Sequence, residues 1–138
     1  MSVASWKKQY YPVNSYEMKT EREALTHSLR KWKGLRAAPM KKHGLVKVDY
    51  SSTIMDKQLN KFRADGDTCA LCDLYINPIQ ETCEDCPLSR QRYGFSCDEK
   101  LFTERYSPYT SFRDYGDPEP MITLLKAAIK THLNKENA

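Results

Sequence analysis

The side chains best suited to chemistry in this 138-residue chain are its cysteines, and all five lie in TCALCDLYINPIQETCEDCPLSRQRYGFSC, from Thr68 to Cys97. Cys69 and Cys72 make one C-x2-C pair, Cys83 and Cys86 a second, and Cys97 follows at a spacing that repeats the gap between the pairs. Thiols in this pattern can hold a metal, form disulfides or carry redox chemistry. A C-x2-C turn presents two sulfurs on one side of a tight loop, and two such turns suit tetrahedral thiolate coordination. The pattern points to one Zn2+ per chain, held by four of Cys69, Cys72, Cys83, Cys86 and Cys97, with iron the less favoured occupant of the same sulfurs. Which of Cys83, Cys86 and Cys97 is spare stays open. An odd number of thiols cannot pair fully within one chain, and disulfides are rare in a reducing compartment. Asp73, Glu84 and Asp85 oppose a free thiolate, whereas a divalent cation deprotonates thiols outright.

Catalytic alternatives find little support. No H-x-E precedes a P-C-x-x-C, as a zinc deaminase requires. None of His27, His43 and His132 has a nucleophile or carboxylate partner beside it in sequence. No catalytic residue is assigned, and a non-enzymatic protein is expected.

The net charge of +4 conceals an asymmetry: residues 1–63 carry 14 Lys and Arg against 5 Asp and Glu, and residues 64–138 carry 8 against 13. The segment SLRKWKGLRAAPMKKHG gathers Arg30, Lys31, Lys33, Arg36, Lys41, Lys42 and His43 around Trp32, a candidate anion-binding patch. Trp32 itself falls on the apolar stripe of a helix and is expected in the core. Tyr106 and Tyr109 offer a second candidate binding surface.

These residues need elements to position them. A single, mainly α domain with a minor β element is expected, built around the cysteine knuckle and closed by an amphipathic C-terminal helix. Its parts are an extended N-terminal arm (1–19), a basic helical half (20–64), the cysteine block (65–98) and a helical C-terminal part (99–138). Thr20 and Glu23 form a capping box for a helix over 21–33 that stops at Gly34, with Leu25, Leu29 and Trp32 along it. A short helix spans the Pro39 region, LVKVDY alternates as a strand, and Ser52 caps a helix over 53–63 with Met55, Leu59 and Phe62 on one face. Cys86-Pro87 enters a helix, DEKLFTERY makes a short one, and SPYTSFRDYG another turn or two. From Asp117 as N-cap the last helix carries Met121, Ile122, Leu125, Ala128, Ile129 and Leu133 as one stripe.

No run approaches the roughly 18 apolar residues of a membrane span, and no signal-peptide block opens the chain, so a soluble intracellular protein is expected. The combination YYPV, ALTHSLRKWKGL, KKHGL, CALC, C-x2-CPL, a further Cys, SPY and DPEPM resembles a group of small proteins encoded by tailed bacteriophages and prophages, over about Tyr10 to Leu133. That group has no assigned activity. The resemblance implies an accessory protein in the cytoplasm of an infected bacterium, acting by binding. Its partner would be a host protein, such as an enzyme or defence factor, or a small anionic nucleotide signal. A nucleic-acid-binding zinc protein using the basic half is the alternative.

Overall fold

Thr20 approaches in an extended conformation, and its Oγ1 accepts the Glu23 N–H at 3.1 Å, so α2 runs from Glu21 to Lys33. Only this half of the expected capping box forms, because Glu23 Oε1 accepts the Thr20 hydroxyl at 3.0 Å instead of the Thr20 backbone N–H. Leu25 and Trp32 on its apolar stripe are buried and Leu29 is half-buried. The computed structural model describes residues 1–76 and 83–137. α2 is the hub, packed between a long C-terminal helix at Glu119–Glu136 and a short helix at Ala70–Tyr75 in the cysteine block. Met121, Ile122, Leu125 and Ala128 of the C-terminal helix are buried, and Ile129 is half-buried. Leu133, expected in the same stripe, is exposed, because His132 already meets Glu21, the first residue of α2, and the next turn runs past the partner helix. That helix starts at Glu119 rather than at Pro118, although Asp117 Oδ1 still accepts the Glu119 N–H at 3.0 Å.

The N-terminal segment is not an extended arm. Residues Val3–Tyr10 form helix α1, opened by reciprocal bonds in which Ser2 Oγ accepts the Ser5 N–H and Ser5 Oγ accepts the Ser2 N–H. Val3 and Trp6, three residues apart, are buried, and Pro12 biases Tyr11 away from helix. Trp6 Nε1 donates to the Gly34 carbonyl at 2.8 Å. Tyr10 lies so close to Gly34 that a Cβ there would stand 2.7 Å from Tyr10 Cβ, which explains the glycine at the end of α2. Helix α3 follows at Ala37–Lys42.

The expected helix over 53–63 is a hairpin. Strands β1 (Val46–Lys47), β2 (Thr53–Met55) and β3 (Lys61–Arg63) form an antiparallel sheet in that order, with Ile54 opposite Phe62 and both buried. Asp56 decides this locally: its Oδ1 accepts the Gln58 and Asn60 N–H groups at 3.0 Å each, closing a turn where a helix would have continued. Its Oδ2 accepts the Val3 N–H at 3.0 Å and so ties the sheet to α1. Met55 is half-buried and Leu59 exposed, which breaks the expected helical stripe, and Val46, Val48 and Tyr50 face solvent rather than the core.

In chain order the remaining helices are α4 (Ala70–Tyr75), α5 (Pro87–Arg90), α6 (Pro108–Tyr115) and α7 (Glu119–Glu136). Pro87 opens α5 as expected, and Ser107 caps α6 by accepting the Thr110 N–H at 3.2 Å. DEKLFTERY forms turns in place of a helix. Its backbone and Glu104 are organised around the buried Arg92 guanidinium, which donates to Ser96 O, to Glu99 O and, at 2.5 and 2.9 Å, to both Glu104 oxygens. The architecture is mainly helical with one small sheet, as expected. Among the described residues, no helix is long and apolar enough to cross a membrane.

Candidate metal centre and anion-binding face

Each C-x2-C pair puts one sulfur at the start of a short helix. Cys69 is the N-cap of α4, and the nearby Leu71 and Cys72 backbone N–H groups favour its thiolate. Cys86 holds the same position on α5, where the Leu88 and Ser89 N–H groups act in the same direction. The Cys72 thiol feels the charges of Cys69, Cys97 and Cys83. Cys97 arrives after a sharp turn at Tyr93 and Gly94, where φ is 56° and 90°, and its thiol feels the charges of Cys69, Cys86 and Cys83. The fold thus draws sulfurs from three separate segments into one electrostatic neighbourhood.

All five thiols are unpaired. The adjacent Cys72 thiol draws Cys69 below the ordinary thiol range, while Cys72 itself is pushed up. Burial pushes Cys86 up to about 12 and raises Cys97 as well. Among the described residues, no group of three or more His, Cys, Asp and Glu side chains is already drawn onto a single point to hold a metal ion. Residues 77–82, within the segment between the two pairs, lie outside the described residues. A cleft of about 860 Å3 opens beside the cluster, with Cys72, Cys83 and Cys97 on its wall, and gives these sulfurs a route to solvent.

One residue of this neighbourhood was hidden in the sequence. Lys31, expected in the anion-binding patch, is fully buried at 0% exposure. Its Nζ donates to Thr68 O at 2.9 Å and Thr68 Oγ1 at 3.4 Å, one residue before Cys69. Burial lowers its proton affinity, and Cys69, Cys72, Asp65 and Cys97 are the groups whose charges restore it. One turn earlier on α2, buried Ser28 sets its Oγ 3.9 Å from Cys69 Sγ. Asp73, Glu84 and Asp85 are exposed, and the acid that opposes a thiolate is Asp98 and Glu99 at Cys83 and Asp98 at Cys97, whereas at Cys69 the buried Lys31 charge acts in the opposite sense.

The basic candidates divide. Gln9 of α1 is the meeting point: its carbonyl accepts from Arg30 Nε at 2.6 Å, and its Oε1 lies 3.0 Å from His43 Nε2. His43 also feels the positive charges of Lys42 and of the chain's N-terminus. Arg30 is thus held at Gln9, while Lys41 and Lys42 at the end of α3 are exposed and the Lys42 charge reaches His43. Two candidates leave the patch. Arg36 forms a bidentate pair with Glu119, at 2.7 and 3.0 Å. His43 is buried between Ser5 Oγ, 2.9 Å from its Nδ1, and Gln9, and so fastens α1 to α3 rather than facing a ligand. Tyr109 is half-buried and donates to Ser52 Oγ at 2.9 Å. Tyr106 packs on Tyr115 with ring centroids 4.5 Å apart, away from the basic face. Trp32 is core, edge-on to Phe112 at 5.2 Å, as expected.

No family model, curated protein or solved structure matches this chain.

Proposed function

We propose that this chain is a small accessory protein of the tailed-phage type that acts by binding, not by catalysis, with a fold stabilised by one zinc ion on four of its five thiolates. The observation that carries this reading is that the two C-x2-C pairs and Cys97 come from three segments into reach of one another's charge, with the buried Lys31 ammonium in reach of Cys69, Cys72 and Cys97. A cation drawing four sulfurs together would release the protons that burial leaves on them, and would contribute on the order of 10 kcal/mol to folding. The metal would then be structural, and function would lie on the surface it holds in shape. In keeping with a binding role, each histidine already has a protein partner: His27 with Val13 O, His43 with Ser5 and Gln9, and His132 with Glu21 and Glu136. The target would be a host factor, a defence system or an anionic nucleotide signal in the infected cell. Elemental analysis of the purified chain is the test. One zinc per chain, with loss of the fold on chelation, is expected; a metal-free chain with five titratable thiols and an intact fold would overturn the reading.

The exposed Lys41 and Lys42 of α3, with Arg30 held at Gln9, favour a second reading, a zinc-stabilised protein that binds nucleic acid through this basic face. Neutralised phosphates release counterions, so such binding weakens steeply with salt. Paired Lys41→Glu and Lys42→Glu changes would flatten that salt dependence by up to about two phosphate equivalents in the slope. Unchanged affinity and slope in the double variant would remove this face from consideration.

A further inference from the structure

Lys31 is an expensive residue to bury. An ammonium withdrawn from water costs several kcal/mol unless a charge of opposite sign compensates it, and buried lysines are otherwise rare. Its two hydrogen-bond acceptors, Thr68 O and Thr68 Oγ1, are neutral. The Thr68 hydroxyl proton is already directed to Arg63 O at 2.6 Å, so the hydroxyl meets the ammonium as an acceptor. The one carboxylate in electrostatic reach, Asp65, is paired with Arg63 at 3.0 Å and also accepts the Asp67 N–H. The Trp32 ring, 5.5 Å from Nζ, offers a π face but no full negative charge. The full charges left to compensate the ammonium are those of the Cys69, Cys72 and Cys97 sulfurs. Lys31 and Ser28 stand three residues apart on α2, which puts them on one face of that helix, and α2 packs directly on α4 with Cys69 at its start.

We propose that Lys31, supported by Ser28, is a built-in counter-ion for a four-thiolate centre that takes a divalent metal. The inference rests on the metal reading above and adds to it. Four thiolates around a divalent cation leave two negative charges in excess, and one buried ammonium cancels half of that excess without touching the metal. Ser28 Oγ–H, 3.9 Å from the Cys69 sulfur, supplies it with a donor once that sulfur is a thiolate. Lys31 is thus a positioning and charge-balancing residue, not a ligand. A neutral side chain of similar length would leave the sulfurs in place and weaken their hold on the cation. Groups outside the ligand sphere of protein metal sites commonly contribute 10- to 100-fold in affinity.

The test is Co2+ titration of the metal-stripped full chain in competition with a chelator of known affinity, on the wild type, Lys31→Met and Ser28→Ala. Thiolate-to-cobalt charge-transfer bands count the sulfurs and the competition gives the affinity. The wild type is expected to bind one Co2+ through four thiolates. Lys31→Met should keep the same stoichiometry and bands with 10- to 100-fold weaker binding, and Ser28→Ala should lose affinity by a smaller factor. A wild type that binds no Co2+ would overturn the metal reading and this inference together. Normal wild-type binding with equal affinity in both variants would overturn the counter-ion role alone. Should Lys31→Met fail to fold, Ser28→Ala decides, with undiminished affinity counting against the proposal.

Discussion

Replacing Gly34 by alanine sets two physical effects against each other. The backbone at Gly34 is helical, with φ −69° and ψ −12°, so conformation alone would let alanine stabilise the chain by about 0.4–1 kcal/mol. Sterics oppose this, because the new methyl would stand 2.7 Å from Tyr10 Cβ and closer still to the ring. Overpacking at a contact of this kind costs about 1–3 kcal/mol. If α1 shifts to relieve it, the Trp6 Nε1 bond to Gly34 O is lost as well, at about 0.5–1.5 kcal/mol. The net expectation is a loss of about 0.5–4 kcal/mol, with steric terms outweighing the backbone gain. Unfolding entropy of about 2.1 cal/mol/K per residue over 138 residues is about 0.29 kcal/mol/K. Tm should therefore fall by about 2–14 °C in thermal unfolding followed by circular dichroism. In a Tyr10→Ala background the same change should be neutral or stabilising, since the obstructing ring is gone. A Gly34→Ala chain as stable as the wild type would refute the claim that α1 is locked to α2 at this point.

Other perturbations test other joints. Glu104→Gln would leave the Arg92 guanidinium, 4% exposed, without its buried counter-charge, and should cost about 3 kcal/mol while loosening the segment that carries Cys97; faster amide exchange over residues 95–104 would report it. His132 bridges Glu21 on α2 and Glu136 on its own helix, at 2.6 and 2.9 Å. The Glu21 carboxylate, followed by that of Glu136, raises its proton affinity above the ordinary value of 6.5, so the stabilisation is fully present below that pH and is lost as pH rises through the raised value. The drop in Tm across that window should shrink in His132→Gln, and an unchanged pH profile would exclude the clamp.

The long helices were legible because their signals are redundant. Thr20, Glu23, Leu25 and Trp32 all specify α2, and the apolar stripe from Met121 to Ala128 specifies α7 even though its start moved to Glu119. The hairpin was not legible, since Met55, Leu59 and Phe62 fit a helical period and the deciding group, the Asp56 carboxylate, acts through bonds to Gln58, Asn60 and Val3 that no periodicity reveals. Helix α1 hid behind a Ser2–Ser5 cap that lacks the usual acidic partner, although the Val3–Trp6 spacing was a usable clue. At the candidate site, the sulfurs announced themselves by spacing. Lys31 did not, because a lysine in a run of basic residues reads as surface, and its burial follows from the packing of α2 on α4. Arg36 and His43 left the basic patch for the same kind of reason, each finding a partner distant in sequence.

X-ray absorption at the zinc edge of the purified chain tests the thiolate centre most directly, because it counts the atoms bound to the metal. Four sulfurs at about 2.3 Å, with no nitrogen or oxygen in the same shell, is the expected result. Absence of zinc, or a shell with fewer than four sulfurs completed by light atoms, would contradict it.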